Sequence, residues 1–144
     1  ALATGEREWK HPATGQVTLT VTQDLGVGPA IPVFDGTNLW VPNYTSDTIT
    51  VVRAVGGLAG TPLAVLTGNG LNGPVQGAFD GERILFTNEG ASDTSLSLWK
   101  AADLTPIGNI VIPNNGNTAR GACSDGINFY ISTRGVGGHA LLRP

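Results

Sequence analysis

An aspartate followed by glycine recurs at one fixed distance in this chain, as Asp35-Gly36, Asp80-Gly81 and Asp125-Gly126, each pair 45 residues from the next. Three carboxylates could bind a cation or divide general-acid and general-base roles. Each one, however, stands between two strand-like runs, where a tight hairpin asks for this dipeptide: the aspartate bonds nearby backbone and the glycine takes positive φ. Neighbouring repeat units would also hold the three apart. They are expected to be turn residues, with no metal and no catalytic role.

Cys123 is the sole cysteine and, with His139 or His11, could be offered as a nucleophile and its base. It falls at the repeat position of Val33 and Ala78, two apolar residues on the first strand of their units, so a buried small hydrophobe is expected. His139 opens a strand where other units have turn residues, and no third member of a triad is visible. One cysteine allows no intrachain disulfide and leaves the redox compartment open.

The elements around these residues keep the same register. Pro29, Pro74 and Ala119 lead in, and Trp40-Val41, Leu85-Phe86 and Tyr130-Ile131 follow each turn. Such a period decides the architecture first. Alternation and turn residues predict strands over 31–34, 38–43, 48–53 and 62–67, then 75–79, 83–88, 94–100 and 107–113, then 121–124, 128–133 and 139–143. Residues 4–22 read as a hairpin turning at Pro12-Ala13-Thr14-Gly15, equivalent to the last two strands of a unit. The chain of 144 residues is therefore expected to be one repeat domain: a half unit over 4–28, whole units over 29–73 and 74–118, and an incomplete unit over 119–144.

The residues Pro29, Phe34-Asp35-Gly36, Leu39-Trp40-Val41, Asn43 and Asp47-Thr48-Ile49-Thr50-Val51, repeated as Pro74, Phe79-Asp80-Gly81, Ile84-Leu85-Phe86, Asn88 and Asp93-Thr94, resemble the blades of NHL- and YVTN-type β-propellers. The resemblance covers most of residues 15–144 and implies an all-β fold of tandem four-stranded antiparallel blades. A β-trefoil, also built from three four-stranded repeats, is the alternative. The third unit departs from the pattern, with Ser124 for Phe and Ala119 for Pro, and about three units are fewer than the four to eight of closed propellers. Phe34 and Phe79 are expected to fill the layers between adjacent sheets.

Composition supports this class. Charged residues make up 13% and hydrophobic residues 40%, and glycine reaches 21 positions, as in turn-rich β proteins. A net charge of −3 with eight scattered basic residues gives no footprint for nucleic acid, and no apolar run is long enough to insert in a membrane. The chain has no methionine, so a removed leader or a longer parent chain is expected.

Streptogramin-lyase-like and gluconolactonase-like enzymes use related propellers with metal, histidine or acidic residues at the central channel. The corresponding loops here offer Asn43, Tyr44, Asn88, Glu89, Asn115, Asn117, Thr133 and Arg134, amides and hydroxyls rather than a metal set. Trp40, Asn43, Tyr44, Asn88 and Arg134 are the candidate ligand-binding residues, suited to a glycan. Asn43-Tyr44-Thr45 is also a formal glycosylation triplet. The expectation is a non-enzymatic structural or binding module without cofactor, in an extracellular, cell-surface or virion setting. It would self-associate as a homo-oligomer or polymer through open β edges, or join other blades of a longer chain. A carbohydrate-binding propeller and a propeller lyase or lactonase are the alternatives.

Overall fold

The computed structural model describes residues 7–9, 17–19, 25–113, 117–135 and 141–142, and among them there is no helix. A short hairpin pairs β1 (Arg7–Trp9) with β2 (Val17–Leu19). The first unit is a sheet of β3 (Val33–Phe34), β4 (Asn38–Asn43), β5 (Thr48–Arg53) and β6 (Pro62–Leu66). The second comprises β7 (Pro74–Phe79), β8 (Arg83–Asn88), β9 (Thr94–Lys100) and β10 (Pro106–Ile112). The third holds β11 (Thr118–Ser124), β12 (Phe129–Arg134) and β13 (Leu141–Leu142). Each sheet is antiparallel and uses only consecutive strands of its own unit. A trefoil would pair strands across repeats, so that alternative is set aside.

The sheets stack face to face in chain order. Trp40, Ile49 and Val51 of the first sheet pack on Ile84, Phe86 and Trp99 of the second. On the other face of the second sheet, Ala78, Leu85, Leu96 and Leu98 meet Ala119, Ala122, Phe129 and Ile131 of the third. Both faces of the second sheet are therefore covered. This is why β8 reads Ile84-Leu85-Phe86 without alternation, whereas β10, at the outer margin, alternates between exposed and half-buried positions.

Three expectations are corrected. The first strand of unit one is only two residues long: Pro32 has no N–H to give to a ladder, and the Ile31 N–H instead reaches Val75 O of the next sheet at 3.1 Å. Phe34 is 49% exposed and fills no layer. It pairs with Leu39 on the face of the first sheet turned away from the second, and stands at an exposed margin of that face, whose centre, Val41, Thr50 and Val52, is buried. Phe79, by contrast, packs into the layer between the first two sheets. Cys123 is exposed rather than buried. It pairs with Tyr130 on the face of the third sheet turned away from the second. Val33 and Ala78 are shielded because a following sheet lies over them.

Candidate functional site

The recurring aspartates share one geometry. Asp35 Oδ1 accepts the N–H groups of Thr37 at 2.8 Å and Asn38 at 2.6 Å. Asp80 Oδ1 accepts those of Glu82 at 3.0 Å and Arg83 at 2.6 Å, and Asp125 Oδ1 those of Ile127 at 2.9 Å and Asn128 at 2.7 Å. The following glycines have φ of 94°, 106° and 93°. The second oxygen is also engaged, by a different donor in each unit: Trp40 Nε1 at 2.7 Å, Arg83 Nε at 2.7 Å and the Tyr130 hydroxyl at 2.8 Å. The Arg83 guanidinium in turn lies 5.2 Å from the centre of the Phe129 ring, tying the second turn to the third sheet.

Hydrogen bonding sets the protonation of these carboxyls. The N–H groups of Asn128 and Ile127 and the Tyr130 hydroxyl hold Asp125 far below the usual carboxylate range. Burial alone would raise Asp80, but the N–H groups of Arg83 and Glu82 and the Arg83 side chain outweigh it, and its carboxyl titrates below the ordinary value. Both stay anionic as turn staples.

Apart from Trp40, which lies within β4, the candidate ligand residues sit at the other end of the sheets. Trp40 is wholly buried, its indole N–H directed to Asp35. Asn43 is equally buried, and its Nδ2 donates to the hydroxyls of Thr48 and Thr50, each at 3.0 Å. Asn88 donates from Nδ2 to Ser97 Oγ at 2.9 Å and accepts the Asn72 N–H at 3.2 Å. These three, named as candidate ligand-binding residues, are buried in the folded chain rather than open to a ligand. An asparagine closing the second strand of a unit ties that strand to the third, and the glycosylation triplet presents no free Asn43 amide in the folded chain.

Tyr44 remains 44% exposed, and Arg134 is also exposed. The Tyr44 ring lies over Gly73, where an added Cβ would come within 2.9 Å of Cε2. Thr133 is buried, while Asn115 and His139 lie outside the described residues, as does His11. The sequence reading missed the ion pair between Glu89, on the loop of unit two, and Arg120, on the first strand of unit three. It missed as well the seam beside that pair, where the Thr87 hydroxyl lies 2.9 Å from Arg120 O and Gln76 Nε2 donates to Ala122 O at 3.2 Å. Residues 31 to 46 apart in the chain leave no local signal of such contacts. Among the described residues, no group of three or more His, Cys, Asp and Glu side chains is placed to hold a metal ion.

Among solved structures, the chain is similar to the crystal structure of a protein from Lactobacillus plantarum, with a TM-score of 0.60 at 21% identity. The match covers 96% of this chain and 49% of that one. The fold is β-propeller-like. The chain spans about half the length of that propeller-like protein. No protein-family model matches the chain, and no curated protein matches it.

Proposed function

We propose that this chain is a non-enzymatic structural or binding module made of NHL- or YVTN-type blades, and that it assembles by covering its two outward sheet faces with further blades. The observation that carries this reading is the exposed apolar margin of the first sheet's outward face, where Phe34 and Leu39 stand side by side and Val65 is exposed on the outer strand, around the buried Val41, Thr50 and Val52. Exposed apolar groups gathered on one face mark an interaction surface. On the third sheet, the outward face presents Cys123 and Tyr130.

The occupant we assign is a second copy, its third sheet laid against the first sheet of its partner. Every described interface between units in this chain already has that form, a sheet against the sheet that follows it. The similar propeller-like protein is about twice as long, so two copies supply about the blades of one such fold. A repeated head-to-tail contact closes if its rotation completes a ring and otherwise extends as a polymer. The low charge and turn-rich surface support an extracellular, cell-surface or virion setting. A glycan at the loop end is a second reading, favoured by the exposed Tyr44 ring.

Light scattering coupled to size exclusion tests the assembly. A closed dimer or larger assembly is expected, with Phe34→Asp and Leu39→Asp giving folded monomers. A parent chain that stays a folded monomer at high concentration would sink the reading, and a glycan array reports on the second.

A further inference from the structure

A cleft of about 370 Å³ opens between the first two sheets at the Asp-Gly end, away from Tyr44, and is lined by Asp35, Asn38, Arg53, Phe79, Glu82 and Ala101 among others. Its volume lies in the range of small-molecule sites. Asn38 and Arg53 are partners across β4 and β5, and they share the face on which Trp40 meets the second sheet. Asn38 is only 9% exposed, and its Oδ1 is buried without a partner in the protein. Trp99 brings an unpartnered donor, Nε1, into the same layer from the second sheet. Buried polar atoms without partners are uncommon enough in folded proteins to call for a reason.

The charges around the cleft are unevenly engaged. Both Asp35 oxygens are taken, by Thr37, Asn38 and Trp40. Arg53 and Glu82 make no side-chain hydrogen bond or ion pair with the described residues, so one cation and one anion remain available. Two carboxylates against one guanidinium leave the cleft slightly negative. A purely anionic guest would be opposed, whereas one bringing its own cation would be balanced.

We propose that this cleft binds a small zwitterion of the α-amino-acid class with an apolar side chain. Arg53 takes the carboxylate through its planar fork of donors. Glu82 takes the ammonium. Phe79 and Ala101 cover the side chain. This site lies within one chain and is independent of how the outward faces are occupied.

Titration calorimetry with L-leucine, the carboxylate-only 4-methylpentanoate and the amine-only 3-methylbutylamine tests it. Leucine should bind saturably and each analogue at least about tenfold more weakly, since each forfeits one charge-assisted contact. Arg53→Met and Glu82→Gln should each weaken leucine about tenfold, while Arg120→Met, at the other end of the sheets, should leave its affinity unchanged. Absence of saturable leucine binding, an analogue that binds as tightly as leucine, or unchanged affinity in Arg53→Met would overturn the assignment. Should Arg53→Met fail to fold, Glu82→Gln decides, because Glu82 is exposed in a turn.

Discussion

The carboxylate of Asp47 accepts the backbone N–H of Gly73 at 2.6 Å, so the loop between β4 and β5 of one blade holds the segment through which the chain enters the next. Asp47 does this from a left-handed conformation, φ 52°, which aspartate tolerates better than alanine. Asp47→Ala should therefore lose both a charge-assisted bond and conformational fit, about 1–2 kcal/mol in all. Asp47→Asn keeps an acceptor and a residue suited to that φ, and should lose less. Urea midpoints for the two variants check the order, and equal losses would remove the inter-blade bond from the account.

Asn43 and Asn88 occupy the same repeat position with unequal satisfaction. Asn88 uses both ends of its amide, whereas Asn43 Oδ1 is buried without a partner. Removing Asn88 strands the Ser97 hydroxyl and the Asn72 N–H, at a cost of about 2 kcal/mol. Asn43→Ala leaves the Thr48 and Thr50 hydroxyls their other partners, Ser46 Oγ and Leu25 O, and removes an unpaired acceptor, so no more than about half that loss is expected. Denaturant unfolding of both variants tests the difference, and the opposite order would contradict it.

The 45-residue period, the Asp-Gly turns and most strands were legible because they depend on local chemistry: an aspartate acceptor, a positive-φ glycine and apolar runs. Which face of each strand lies covered was not legible. Phe34 and Phe79 are identical in type and in repeat position, yet Phe79 packs into the layer between the first two sheets while Phe34 stands at an exposed margin of its own sheet. Cys123 was misread for the mirror-image reason, at the outward face of the third sheet. Asn88 reads as a loop residue in sequence because asparagine favours turns. Its burial follows from the Ser97 hydroxyl nine residues on, a partner that no propensity announces.

That contrast between the two phenylalanines makes a direct prediction. Phe79→Ala opens the layer shared with Trp40, Ile84 and Trp99 and should cost about 2–4 kcal/mol, toward the lower end because the ring is only partly enclosed. Phe34→Ala should change unfolding at low protein concentration by less than about 1 kcal/mol. Equal costs in dilute thermal melts would mean that the faces are wrongly assigned.

Gly81 has φ of 106° with nothing within 4 Å of where a Cβ would stand. Space is not the constraint there, so Gly81→Ala should destabilise through backbone strain alone, by on the order of 1 kcal/mol or more. A D-alanine placed at the same position by chemical synthesis favours positive φ and should recover the loss. If L-alanine is tolerated without cost, the turn geometry is wrong.

Acid should act on the protein through the turn aspartates. Asp125 is held far below its ordinary value of 3.8 by two backbone N–H groups and the Tyr130 hydroxyl, and Asp80 is lowered by Arg83 and Glu82 despite its partial burial. A carboxyl whose folded value lies below its unfolded one contributes stability that is fully present above the unfolded value and is lost as pH falls through the folded one. From these two groups, stability should be flat between about pH 7 and pH 5 and decline below about pH 4. Both carboxyls bond backbone N–H groups through one oxygen, a role the amide oxygen of asparagine can fill without titrating. The double variant Asp80→Asn with Asp125→Asn should therefore be less stable than the parent at neutral pH but lose less on acidification. Urea midpoints at about pH 7, 4 and 2.5 give the two slopes. A double variant that declines as steeply as the parent would place the acid sensitivity elsewhere in the molecule.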